Sequence, residues 1–202
     1  MPKEQLSGIV ALLGTTNSGK STFAERLGAE LNGVVLKETT EGNLFMADAH
    51  NPAGRIFQNQ AWFLLQSSVR WEKAAQLATE GKLAIMDTFV PKNLIHSKLT
   101  LDSDSYTLYE RLADRLTAHL PLPNVVVYLF DSPDFILGRL KARGKFYDAS
   151  VQIDHIERMN TLHELWISEA QLPTVRIRSR SLEDPAKQKQ YIFEIGAILK
   201  IQ

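Results

Sequence analysis

The sequence predicts a three-layer α/β fold, with a five-stranded parallel sheet flanked by helices, and three observations lead there. Short apolar runs alternate with longer stretches of helical periodicity from one end of the chain to the other. The apolar runs are continuous and rich in β-branched residues, as buried parallel strands are, instead of alternating with polar residues. A length of 202 residues with 44% hydrophobic composition suffices for one substantial core, so a single domain over residues 1–202 is expected.

Gly8–Leu13 (GIVALL) is the first strand, and Phe23, Ala24, Leu27 and Leu31 mark a helix over Lys20–Leu31. Val34–Leu36 is a second short strand, followed by a polar loop from Lys37 to Pro52. Apolar positions from Ile56 to Leu77 predict a long helix over Ala53–Glu80, closed by Gly81 at C′. Leu83–Met86 is the third strand. Asp87 ends it, and a loop rich in Asp, Ser and Thr leads to a helix over about Ser105–Ala118, stopped by Pro121 and Pro123. The most apolar strand, Val125–Phe130, precedes a basic helix over Phe135–Arg143 and a longer one over Gln152–Ala170. Strand Thr174–Ile177 and a terminal helix over Pro185–Leu199 complete the pattern.

Lys plus Arg and Asp plus Glu both number 23, so no basic excess drives binding to a nucleic-acid backbone. There is no cysteine, which excludes disulfides and thiolate metal sites, and the five histidines lack metal-ligand spacing. No apolar run approaches the roughly 18 residues that a membrane span needs. No membrane partner and a cytoplasmic location are therefore expected.

Gly14-Thr15-Thr16-Asn17-Ser18-Gly19-Lys20-Ser21 fits G-x-x-x-x-G-K-[ST] directly after a strand and at the start of a helix, where a phosphate-cradling loop must lie. Gly14, Thr15, Asn17, Ser18, Gly19, Lys20, Ser21 and Thr22 are the expected ATP-binding residues. Backbone N–H groups and the helix N-terminus meet the phosphates, Lys20 reaches the β and γ groups, and the Ser21 hydroxyl ligates Mg²⁺. Asp87, at a strand end, is the second candidate Mg²⁺ ligand; its alternative is a turn aspartate. Glu38 lies just past the second strand, on the ligand-binding edge of a parallel sheet, and is the candidate general base on a substrate hydroxyl; its alternative is a solvated loop glutamate. Arg139 and Arg143 share a helical face and suit a pair of cations on the transferring phosphoryl group, within a lid at about residues 139–150. A solvated basic face is the alternative. No Asn-Lys-x-Asp tetrapeptide is present, which argues against a guanine-specific switch.

These residues resemble the deoxyribonucleoside kinase family of P-loop enzymes. The resemblance rests on the phosphate loop, Glu38, Asn51-Pro52 ahead of Gln60-Ala61-Trp62-Phe63-Leu64, Arg139-Leu140-Lys141-Ala142-Arg143-Gly144-Lys145, and the segment from His155 to Trp166. It implies transfer of the ATP γ-phosphate to the 5′-hydroxyl of a nucleoside, in nucleotide salvage. It further implies that Glu38 is the base, Gln60 hydrogen-bonds the substrate base, Asp148 meets the sugar 3′-hydroxyl, and Ser181-Leu182-Glu183-Asp184 is a loop beside the adenine of ATP. A homodimer through the long helix that carries Trp62 and Trp71 is also implied, with core packing of these tryptophans as the alternative. The chain departs from the family after Asp87, where Thr88-Phe89 stands for Arg-Ser and a cation of the acceptor site is missing. It departs again near Ala49, where a tyrosine is replaced, and at Ser67 and Asn93, which stand where an arginine and an aspartate often surround the base. Two rivals stay open: a nucleoside monophosphate kinase of the thymidylate type, and an ATP-binding regulator or degenerate kinase without turnover.

Overall fold

The structure is a computed structural model that describes residues 6–46, 55–144 and 151–201. Five strands form one parallel sheet: β1 (Gly8–Leu13), β2 (Val34–Leu36), β3 (Leu83–Met86), β4 (Val125–Phe130) and β5 (Thr174–Arg178), in the order β2-β3-β1-β4-β5. The register pairs Gly8 with Leu83, Val10 with Val125 and Val126 with Thr174. Seven α-helices are present among the described residues: α1 (Lys20–Leu31), α2 (Ile56–Thr79), α3 (Val90–Thr100), α4 (Ser103–Thr117), α5 (Pro133–Arg143), α6 (Ile153–Ala170) and α7 (Pro185–Ile201).

The continuous apolar strands have the predicted cause, because alternate residues of each strand enter different layers. Val10 and Leu12 of β1 pack with Phe23 and Leu27 of α1 and with Ile192 and Ile195 of α7. Ile9 and Ala11 face the other way, against Leu64, Trp71 and Ala74 of α2 and Tyr109 of α4. Tyr128 of β4 and Ile167 of α6 extend that second layer. Burial of each such side chain contributes about 1.5–3 kcal/mol. The cost of misplacing a strand by one residue is therefore large, since every side chain would exchange layers.

Two expectations need correction. The stretch read as a loop between Asp87 and Ser105 contains α3, and α4 begins at Ser103 behind the N-cap Asp102, whose carboxylate accepts from Ser105 N–H at 2.9 Å. The inward face of α3 carries Asn93 and Ser97 beside Val90 and Ile95, so its apolar periodicity is diluted by buried polar residues. Ser181–Glu183, read as a loop, belongs to a 3₁₀ turn over Ser179–Glu183. Other helix and strand ends shift by one to three residues, within the scatter usual for helix termini.

Candidate active site

Parallel strands place all their carboxyl ends on one edge, and β1 lies between β3 and β4, so the chain segments leaving these strands diverge around a crevice. The phosphate loop leaves β1, Glu38 follows β2, Asp87 follows β3, Asp131 follows β4 and Ser179 follows β5.

The loop has the backbone its sequence requires. Gly14 (φ +138°), Asn17 (φ +62°) and Gly19 (φ +97°) hold positive φ, and Gly19 caps α1 without a side-chain hydrogen bond. The first N–H groups of α1 are thus left for an anion. Lys20 folds back over the loop, donating to the carbonyls of Gly14 at 2.9 Å and Thr15 at 2.7 Å. Burial, then the nearby Lys92, push its ammonium down to about 7, against the opposing influence of Glu38 and Asp87. The hydroxyls of Thr15 and Ser18 are buried with no hydrogen-bond partner among the described residues.

Asp87 joins three strand ends. Its Oδ2 accepts from the Ser21 hydroxyl at 3.0 Å and its Oδ1 from the backbone N–H of Glu38 at 2.7 Å. Burial is the main cause that raises its pKa, so the carboxylate has a desolvation cost that a cation would offset. Ser21 and Asp87 present two hard oxygen ligands side by side beside the phosphate loop, which fits Mg²⁺ that takes its other ligands from phosphates and water. Among the described residues no group of three or more His, Asp or Glu side chains is placed to hold a metal ion.

Glu38 is flanked by two cations that sequence reading missed. Lys92 of α3 comes within 3.5 Å of Oε2 and Arg70 of α2 within 3.9 Å of Oε1. Burial pushes the Glu38 carboxyl up, but Lys92, Lys20 and Arg70 outweigh it and hold it below the ordinary glutamate range. The departure at Thr88 therefore does not leave this place without positive charge; the charge arrives from two helices. Arg70 also donates to Ser67 Oγ at 2.7 Å, and Ser67 accepts from Asn93 Nδ2 at 2.7 Å. No periodicity points to Arg70 or Lys92, because their meeting with Glu38 depends on how α2 and α3 pack.

Gln60 faces α3, where its amide is engaged on both sides: Nε2 lies 3.0 Å from His96 Nδ1, and Oε1 accepts from Ser97 Oγ at 3.2 Å. A base edge read by Gln60 has to exchange with one of these partners. Arg139 extends over the phosphate loop, its guanidinium 3.8 Å from where a Cβ on Gly19 would stand. The charge of Arg143 is close enough to contribute to the depression of Lys20. Ala49, Asn51, Pro52, Lys145 and Asp148, with the lid beyond Gly144, lie outside the described residues.

A cleft of about 190 Å³ opens beside the loop, lined by Gly19, Thr22, Arg139, Ser179, Leu182 and Glu183 among others. The 3₁₀ turn thereby forms one wall of the cleft. Asp131 anchors that turn: its carboxylate accepts from Arg180 N–H at 2.9 Å, Arg180 Nε at 2.8 Å and Ser132 N–H at 2.8 Å. The Arg180 guanidinium in turn stacks 4.9 Å from the Phe135 ring of α5. Trp71 is core, 6% exposed with its indole N–H donating to Pro121 O at 2.9 Å, which is the second of the two places open to it in the sequence. No helix among the described residues is long and apolar enough to cross a membrane.

Comparison with known proteins agrees with this geometry. The sequence model of the deoxynucleoside kinase family matches residues 10–198. A deoxyadenosine kinase from Dictyostelium discoideum is 26% identical over 199 residues, covering 94% of this chain and 80% of the relative. A deoxyguanosine kinase from Bacillus subtilis is 25% identical over 164 residues, covering 80% of this chain and 79% of the relative. Among solved structures, deoxyadenosine kinase from M. mycoides with bound dATP superposes with a TM-score of 0.75 at 21% identity, over 95% of this chain and 99% of that one. The same enzyme with the products dCMP and a flexible dCDP gives 0.76, also at 21% identity, over 96% and 100%.

Proposed function

The chain belongs to the deoxynucleoside kinase family and is an ATP-dependent nucleoside kinase, and we propose that it moves the γ-phosphate of ATP to the 5′-hydroxyl of a deoxynucleoside with Glu38 as general base. One observation carries the assignment of the base. A continuous set of hydrogen bonds runs from Ser21 of the phosphate loop through Asp87 to the backbone of Glu38, so the base and the phosphate cradle are fixed to one another. Transfer between phosphate and hydroxyl depends mainly on such positioning and on charge stabilisation.

In this mechanism the acceptor oxygen attacks the γ-phosphorus while its proton passes to Glu38. The bond from the γ-phosphorus to the oxygen bridging the β-phosphate breaks in line, and ADP leaves. Lys20 and the N–H groups at the start of α1 hold the β and γ phosphates, and Arg139 and Arg143 neutralise charge on the transferring group. Ser21 and Asp87 would hold Mg²⁺, which supplies further charge neutralisation when bound. The base of the acceptor lies between α2 and α3, near Gln60 and His96, and Asp148 is assigned to the sugar. The adenine of ATP occupies the cleft beside Thr22 and Leu182.

A second copy of the chain is proposed to cover α2 and α4. Leu65 and Val69, one helical turn apart, are 47% and 59% exposed, and Leu108 of α4 is 57% exposed. Sedimentation velocity is expected to show a dimer that Val69→Glu dissociates; a monomeric wild-type protein would remove this part of the proposal.

The reaction is tested by ADP release from Mg²⁺-ATP with each common nucleoside, deoxynucleoside and monophosphate. A deoxynucleoside is expected to give the largest kcat/KM. Turnover with monophosphates alone would establish the thymidylate-type alternative. ATP binding with no acceptor-dependent turnover would establish the regulator.

A further inference from the structure

We infer that Lys92 is a positioning residue of the phosphoryl-transfer site, which holds the carboxylate of Glu38 in place through its Oε2 oxygen. The inference rests on the assignment of Glu38 as base made above and goes beyond it by naming what aims that base.

The two oxygens of Glu38 are held unequally. Oε2 lies 3.5 Å from the Lys92 ammonium. Oε1 is buried with no hydrogen-bond partner among the described residues, and the Arg70 guanidinium stays 3.9 Å away, outside hydrogen-bonding range. Arg70 is itself drawn aside, since its Nη2 donates to Ser67 Oγ at 2.7 Å. Of the two cations, Lys92 is thus the one close enough to set the direction of this carboxylate.

The location of Lys92 is costly in every other respect. It stands in the first turn of α3, where the helix dipole disfavours a cation. Its side chain is only 14% exposed, and its charge works against that of Lys20. The Phe63 ring, 5.8 Å from the ammonium, gives modest compensation. The principal favourable partner is Glu38, so the placement of this lysine makes sense through what it does to that carboxylate. Thr88, directly after Asp87, is uncharged and 3% exposed, and does not supply a cation there.

The test compares Lys92→Met and Lys92→Arg with the wild type in ADP release, using deoxyadenosine, deoxyguanosine, deoxycytidine and thymidine at saturation. Lys92→Met is expected to lower kcat roughly 10- to 100-fold, the cost of a base aimed about an ångström off, without weakening binding of a fluorescent ATP analogue. Lys92→Arg, which can still reach Oε2, is expected to recover most of kcat. If Lys92→Met does not fold, Lys92→Gln takes its place in the comparison with Lys92→Arg. A kcat for the neutral variant equal to that of the wild type, or an arginine variant no better than the neutral one, overturns the inference. Absence of turnover by the wild type with all four deoxynucleosides overturns the functional assignment itself, and this inference with it.

Discussion

Glu38→Gln is expected to lower kcat by roughly 10²- to 10³-fold, within the usual contribution of a general base, while KM for ATP stays near the wild-type value. Glutamine keeps the size of the side chain and an oxygen that accepts hydrogen bonds, but that oxygen does not take up a proton at ordinary pH. The loss therefore falls on the step in which the acceptor hydroxyl is deprotonated. The substitution also leaves Lys92 and Arg70 facing each other without the anion between them. A loss of stability of roughly 1–3 kcal/mol is expected from that uncompensated charge, so activity has to be compared per folded molecule. The pH dependence gives an independent check. Burial raises the Glu38 carboxyl, but the three nearby cations more than reverse this and hold it below the ordinary range. The base is then ionised at every pH above the usual glutamate value of about 4.3, and its protonation reduces kcat only as the pH falls through the lower, site-specific value. The wild-type kcat should show no acid limb attributable to Glu38 between about pH 6 and 8. A Glu38→Gln enzyme with wild-type kcat would remove Glu38 from the mechanism.

The features that were legible in the sequence are those whose cause is local. Ile9–Leu13 is apolar at all five positions because both faces of β1 are covered. The phosphate loop could be recognised because its glycines, lysine and serine must be consecutive to surround a phosphate. Glu38 and Asp87 could be singled out because parallel strands deliver their carboxyl ends to one edge, so a strand end in the sequence is already a position in space. Features whose cause is tertiary stayed hidden. α3 packs between α2 and α6 through a surface that includes Asn93 and Ser97, and polar residues on an inward face suppress the periodicity by which a helix is detected. Arg70 and Lys92 lie on different helices, and only the packing of α2 against α3 brings both to Glu38. An arginine directly after Asp87 would bring positive charge from the strand end, whereas here Arg70 and Lys92 bring it from two helices. Trp62 and Trp71 illustrate the same limit. Either a subunit surface or the core suits them in the sequence, and only the packing shows Trp71 at 4.8 Å, edge on, against Phe89 in the core.

Gly14→Ala should be the most damaging methyl group that can be added at any of the described glycines. Gly14 has φ +138°, a conformation that side-chain-bearing residues rarely adopt. A Cβ there would stand 2.2 Å from the carbonyl oxygen of Leu129 and 3.0 Å from Ser18 Oγ. The first of these is backbone at the end of β4, so no rotamer change relieves it. Either the phosphate loop or the β4 strand end has to move, and β4 is held in register on both sides by β1 and β5. The loop is the weaker element and is expected to shift. That shift carries the Gly14 carbonyl away from the Lys20 ammonium, with which it makes a 2.9 Å hydrogen bond. Backbone strain and overpacking together are expected to cost about 2–4 kcal/mol of folding stability, and displacement of the cradle should weaken ATP binding more than tenfold. Gly196→Ala serves as the control for an added methyl group. Gly196 sits inside α7 at ordinary φ, away from the phosphate loop, with the Leu31 side chain at an unstrained 3.7 Å from the added atom. There alanine is expected to stabilise by about 0.5–1 kcal/mol through the lower entropy of the unfolded chain. Opposite signs for the two substitutions in thermal unfolding, with ATP binding lost only in the first, would follow from the geometry of the β1 turn. Equal and small effects would mean that the Leu129 carbonyl leaves room for a side chain at position 14.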